Sequence, residues 1–282
     1  MPPPLDNARP RSSSETVRRV LAAVVFLPIF FFLVHDWGPI AFFALVAISG
    51  MFAVGEFYRL HLGATAWPWW GWVGVAATAL VLSSTQWPAL LSDRTVLMGT
   101  LAIALCMPLL SAKPLKDSLL DGMVLIMGVL YVGLSLGYLL LARAQPEGAM
   151  LIFFVVLVTW AGDTGAYIAG KSMGRHALAP IISPKKTYEG LAGGLALACL
   201  AAILARAWFL PRFSLVDCLA LGLLLTIAGL IGDLAESAMK RSTGCKDSGA
   251  LIPGHGGMLD RLDSLLFTGP AFYYYVAFVA TV

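Results

Sequence analysis

Apolar residues recur along this chain in runs of about 20, the length a helix needs to cross a bilayer, and polar punctuation falls between the runs. The pattern predicts nine helices, at 18–35, 38–57, 67–84, 95–111, 119–142, 149–170, 190–209, 214–235 and 264–282. The third and fourth are interrupted by Gly, Pro and Thr, and Trp67, Trp69, Trp70 and Trp72 read as an interfacial belt. Met1–Arg19 is rich in Pro, Ser and Arg without apolar periodicity, so it reads as a solvated tail. Val20–Val34 has the character of a signal-peptide core, but no small-residue cleavage pattern follows it and more long runs do, so a retained helix is expected. The expectation is an all-α polytopic integral membrane protein in three stretches: a tail (1–19), N-terminal transmembrane helices (20–145) and a C-terminal catalytic region (146–282).

Composition strengthens that picture. Apolar residues make up 59% of the 282 and charged residues 12%, about half the charge of a soluble globule, which excludes both a soluble enzyme and a disordered chain. Sorted by nine alternating crossings, fifteen of the nineteen Lys and Arg fall on one side; only Arg94, Arg143, Arg206 and Arg212 fall on the other. By the positive-inside rule the N-terminus is cytoplasmic and the C-terminus external. The net charge of +3 thus follows topology and does not suggest a nucleic-acid partner. Four cysteines (Cys106, Cys199, Cys218, Cys245) form no C-x-x-C pair and read as buried thiols.

Loops before residue 148 are short and plain, whereas the connections at about 171–189 and 236–263 are dense in Gly, Lys, Asp, Ser and His; function is expected there. On a continuing helix Asp233, Glu236, Ser237 and Lys240 share one face. A carboxylate at that depth is costly unless paired, hydrated or metal-bound, which makes Asp233 a site candidate. Asp260 and Asp263 recur three apart after the glycine-rich run Pro253-Gly254-His255-Gly256-Gly257, whose backbone amides could approach an anion closely. Carboxylates from two segments, without thiolates, suit a hard cation such as Mg2+, and Mg2+ in turn implies phosphate. Lys240, Arg241, Lys246 and Arg261, interleaved with Asp247 and the other acids, supply the opposite sign that a phosphate site needs.

A second polar constellation runs from Thr159 to Gly190. Asp163, with Tyr167 on its face, should look into a polar cavity. Ser183-Pro184 is expected to be an N-cap followed by the first residue of a helix, with Lys185 and Lys186 in the first turn, where a bound anion would relieve their conflict with the macrodipole. Glu56 ends an apolar run and is expected to pair with Arg59. His35, His61, Asp36, Asp93 and Asp217 read as structural.

At this point the chain resembles a known family. Residues 231–263 look like the signature of the phosphatidate cytidylyltransferases, the CDP-diacylglycerol synthases. The pattern S-x-x-K-R-x(4)-K-D followed by P-x-H-G-G-x-x-D-R-x-D is met by Ser237, Lys240, Arg241, Lys246, Asp247, Pro253, His255, Gly256, Gly257, Asp260, Arg261 and Asp263. The segment around Asp163, Tyr167, Gly170, Ser183, Pro184, Lys186, Thr187 and Gly190 is similar to the family's other polar stretch, while Cys245 stands where an aliphatic residue is expected.

The resemblance implies a reaction, CTP plus phosphatidic acid giving CDP-diacylglycerol and pyrophosphate, and a paired-aspartate metal centre at Asp233 and Asp260 supported by Asp263. Lys240, Arg241, Lys246 and Arg261 would hold phosphates, with Asp247 and the His255-Gly256-Gly257 run beside them. Ser183 and Lys186 would close the site from the other loop, and Asp163 would orient a ligand or brace the cavity. The expected cofactor is Mg2+, with a second cation left open. Expected partners are the two substrates and the lipid bilayer, in a bacterial inner membrane, with no nucleic acid and a homodimer left open. A CTP-dependent polyprenol or dolichol kinase and an ion-coupled transporter are the competing readings.

Overall fold

The computed structural model describes residues 27–62, 67–245, 248–249 and 256–280. It is a bundle of helices: α1 (27–35), α2 (Gly38–Leu62), α3 (Trp69–Gln86), α4 (Asp93–Leu110), α5 (Leu115–Gly128), α6 (Ser135–Arg143), α7 (Gly148–Met173), α8 (Tyr188–Trp208), α9 (Leu215–Ser242), the short α10 (Leu259–Leu262) and α11 (Leu265–Phe278). A π-helical turn, Val129–Leu134, joins α5 to α6, so the two continue as one span. Six helical segments are long and apolar enough to cross a membrane: Gly38–His61, Asp93–Leu110, Leu115–Arg143, Gly148–Met173, Tyr188–Trp208 and Leu215–Ser242. Trp69–Gln86, with its Trp, Ser and Thr content, and the 14-residue Leu265–Phe278 are not among them. Large apolar side chains such as Leu109 and Phe278 face outward, as they must where the surroundings are lipid.

One apolar core runs through the bundle, with Phe57, Tyr58, Phe154, Phe213 and Phe272 fully buried. Tyr58 is wedged between Gly74 of α3 and Gly128 of α5 and donates to the Leu125 carbonyl at 2.9 Å. A Cβ on Gly165 of α7 would lie 2.5 Å from the Gly193 carbonyl of α8, so these helices touch backbone to backbone. Such approaches substitute for hydrophobic driving force between helices in lipid. Likewise, Gly232 of α9 lies against the Asp263 carbonyl, where a side chain has no room.

Two elements position the site, and the second departs from the sequence expectation. Helix α9 continues to Ser242, two turns beyond the apolar run, because its polar residues pair with one another and its terminal Lys240 and Arg241 complement the macrodipole. Ser183 does not start a helix. It opens strand β2 (Ser183–Thr187), which pairs antiparallel with β1 (Ala177–Ala179) in the register Ala177 to Thr187 and Ala179 to Ser183. The helix begins later, with Thr187 as N-cap accepting from the Gly190 amide at 3.1 Å.

Candidate active site

The last turns of α9 present Asp233, Glu236, Ser237 and Lys240 on one face, as their spacing requires. Ser237 donates to Asp233 Oδ1 at 3.2 Å. Lys240 Nζ lies 2.6 Å from Glu236 Oε2 and 2.6 Å from Asp260 Oδ1, bridging α9 to α10. Glu236 is 1% exposed, and its other oxygen, Oε1, has no hydrogen-bond partner among the described residues.

Asp260 is the organiser of the loop that precedes it. Besides Lys240 it accepts from the Ser248 amide (3.1 Å), the Ser248 hydroxyl (2.9 Å) and the Gly257 amide (2.8 Å). Burial alone would raise its pKa, but the interactions with Glu236, Lys240 and the Gly257 amide prevail and hold it well below the usual carboxylate range. Gly256 adopts φ +80°, a conformation for which glycine is suited, and directs the chain so that the next amide reaches this carboxylate. The amide of Gly257 is thus directed at the protein's own Asp260. Asp263, by contrast, accepts from the Ser264 amide, at 2.6 Å. Burial first, and then the negative charge of Asp233, push its pKa up to about 7.

The hairpin approaches from the other side. On β2 Lys185 is exposed, whereas Lys186 is half-buried and its Nζ lies 2.6 Å from Asp233 Oδ2. Ser183, half-buried, is part of the same strand. Glu189 clasps the hairpin's base by accepting from the Arg175 amide (3.1 Å) and the His176 amide (3.3 Å), and it lies 2.5 Å from His176 Nδ1. On α7, Asp163 is near enough to interact electrostatically with Asp233 and Lys186. Two polar segments separated in the chain by the whole of α8 therefore meet across the Lys186–Asp233 contact.

At their junction the carboxylates of Asp233, Glu236 and Asp263 converge, with ligand oxygens all within 4.8 Å of one another. Three acids this close repel unless protons or a cation intervene, and the unpartnered Glu236 Oε1 is an oxygen donor already desolvated; the set fits a hard divalent cation. Asp260, expected as the second metal ligand, lies one lysine away from this group. Arg241 and Arg261 are exposed at the same end of the bundle. Lys246, Asp247 and His255 lie outside the described residues. Of the cysteines read as buried thiols only Cys218 is buried; Cys199 is half-buried, and Cys106 and Cys245 are exposed.

Sequence reasoning missed the supporting roles of Ser248 and of Glu56. Glu56 of α2 does not depend on Arg59, whose guanidinium stands 5.6 Å from the Trp67 ring centre. Its buried carboxylate accepts from the Leu259 amide at 2.8 Å and from the Ser248 hydroxyl at 3.3 Å. Gly249 and Gly257 leave the room it occupies. A glutamate within an apolar run was the available signal; the nearby Arg59 offered a local partner that masked it.

A sequence model described as "Cytidylyltransferase family" matches residues 17–279. A phosphatidate cytidylyltransferase of Bacillus subtilis (strain 168) is 35% identical over 262 residues, covering 92% of this chain and 95% of that protein. Proteins of the same name from Staphylococcus saprophyticus subsp. saprophyticus and Staphylococcus aureus (strain COL) are similar at 42% over 155 residues and 44% over 157. The match to each staphylococcal relative covers 55% of this chain and 59% of the relative's length.

Proposed function

Because this chain belongs to the cytidylyltransferase family, we propose that it makes CDP-diacylglycerol and pyrophosphate from CTP and phosphatidic acid. The observation that carries the reading is the convergence of Asp233, Glu236 and Asp263 beside Lys186, which joins the two polar segments, and Lys240, which joins α9 to α10. Such a cluster offers both signs of charge at the end of a membrane bundle, where a water-soluble nucleotide and a lipid phosphate can meet.

An oxygen of the lipid phosphate attacks the α-phosphorus of CTP. A P–O–P bond forms, the bond to the β-phosphate breaks, and pyrophosphate leaves with the electron pair. The nucleophile has a second pKa near 6, so it is largely ionised at neutral pH and needs no strong general base. What the step needs is alignment of two mutually repelling anions and neutralisation of charge on the leaving group. Lys186, Lys240, Arg241 and Arg261 serve that end, with Lys246; Ser183 opens the strand that carries Lys186, and Asp163 interacts electrostatically with Asp233 and Lys186. Asp233, Glu236 and Asp263 would hold Mg2+, which when bound supplies positive charge to the triphosphate. Asp260, held by Lys240, Ser248 and Gly257, joins that set only by exchanging Lys240 for the cation, and otherwise fixes the loop. The site end is read as cytoplasmic, which puts the N-terminus inside and the C-terminus outside a bacterial inner membrane.

The test is incubation of purified protein with labelled CTP, phosphatidic acid and Mg2+. Lipid-extractable cytidine with equimolar pyrophosphate is expected. Release of CDP, or label that stays aqueous with folded protein, overturns the reading.

A further inference from the structure

Tyr131 belongs to the N-terminal half of the chain, far in sequence from either polar segment, yet its surroundings tie it to the site. Its ring packs edge-on to Phe267 (centroids 6.3 Å apart) and tilts against Phe57 (5.8 Å). Phe57 follows Glu56, and Phe267 lies 3.1 Å from where a side chain on Gly232 would begin, next to Asp233. The residue is 6% exposed, and its hydroxyl has no hydrogen-bond partner among the described residues. It is nevertheless close enough to Glu236, Asp263 and Asp233 to interact with their charges. Buried hydroxyls are ordinarily paired, so an orphan beside an acid cluster calls for a reason.

The backbone supplies a second observation. Tyr131 sits in the π-helical turn Val129–Leu134, the wide turn within the Leu115–Arg143 span. Such turns widen the helix locally and are frequent at functional sites. Here the turn carries Tyr131, whose hydroxyl is left without a partner among the described residues.

Resting on the proposed cytidylyl transfer, we propose that the Tyr131 hydroxyl is a further catalytic residue, donating a hydrogen bond to a phosphoryl oxygen of the substrate seated against Asp233, Glu236 and Asp263. The phosphoryl oxygen belongs to the CTP triphosphate or to the lipid phosphate. The same chemistry serves both. Tyrosine suits the place because its O–H donates without adding charge, and the two flanking rings fix its direction at small entropic cost.

The experiment compares the full-length wild type with Tyr131→Phe, which keeps the ring contacts and removes only the hydroxyl. Lipid-extractable cytidine gives kcat and both KM values, and thermal unfolding with and without Mg2+ and CTP gives a readout independent of turnover. A lost hydrogen bond to a charged group predicts a fall in kcat/KM of roughly 10- to 100-fold. Unfolding of the ligand-free protein should be unchanged or slightly later, since an unpaired buried hydroxyl is removed. A raised KM for CTP with a smaller CTP-induced thermal shift assigns the contact to the nucleotide. A raised KM for phosphatidic acid alone assigns it to the lipid, and a fall in kcat alone assigns it to the transition state. Tyr131→Phe with wild-type kcat, both KM values and thermal shift overturns the proposal, as does a loss of activity matched by a loss of ligand-free stability. Inactive but folded wild type would instead sink the reading of the reaction, so the two failures are distinguishable.

Discussion

The two ends of the bundle use charge differently. At the end away from the site, three arginines bond to main-chain carbonyls: Arg143 donates to that of Val34, Arg206 to that of Phe213 and Arg212 to that of Pro146. There Asp217 closes a capping box with Ser214 at the start of α9. At the site end, side chains face one another: Lys186 with Asp233, Lys240 with both Glu236 and Asp260, and an acid cluster with an unpartnered oxygen. Charge satisfied by carbonyls stitches loops together. Charge left incomplete by the fold is held ready for something that arrives.

Substitutions should separate these two uses. The largest effect is expected from Asp263→Asn or Asp233→Asn, each lowering cytidylyl transfer by more than about 100-fold, since even outer-shell partners of a metal cost 10- to 100-fold. Retained Mg2+-dependent turnover in either would remove the acid cluster from the chemistry. Lys240→Met strands the carboxylates of Glu236 and Asp260 and should cost about 3–5 kcal/mol in unfolding, measured by denaturation in detergent. Glu56→Ala leaves the Leu259 amide unpaired, while the Ser248 hydroxyl keeps Asp260, and should cost about 1–3 kcal/mol by the same denaturation.

A smaller effect is expected from pH. Asp263 titrates at about 7 in the fold and near 4 when unfolded. The folded state therefore binds the proton more tightly, and the contribution of this group to stability falls as pH rises from about 4 to about 7, then levels off. A cation needs the ionised form, so the stabilisation gained from Mg2+ should grow over the same interval. Thermal melts across pH 4–8 with and without Mg2+ check both signs. The smallest change should come from Arg212→Ala at the opposite end, under about 1 kcal/mol in stability and none in turnover. Loss of activity there would break the contrast between the ends.

Much of this was legible in the sequence. Runs of apolar residues located the helical segments, and the spacing of Asp233, Glu236, Ser237 and Lys240 fixed a shared face that α9 displays. Positions that depend on distant contacts were not legible. Ser183-Pro184 carries a helix-start pattern, but pairing with Ala179 draws it into a strand, and that pairing sends Lys186 to Asp233. The three-residue spacing of Asp260 and Asp263 suggested joint action. Their environments separate them: Asp260 is filled by hydrogen bonds from Ser248 and Gly257, while Asp263 turns toward Asp233 and Glu236. Glu56 depends on α2 packing against α10, a contact that links positions two hundred residues apart.

The meeting of Gly232 with the Asp263 carbonyl has an implication of its own. Main chain rests on main chain there, so the gauge between the two acid-bearing segments is built into the skeleton of the protein. Rotamer changes nearby can adjust how each oxygen points, yet they leave that width alone. Descendants of this sequence are free to rework the rim of the cleft, provided that one position stays bare.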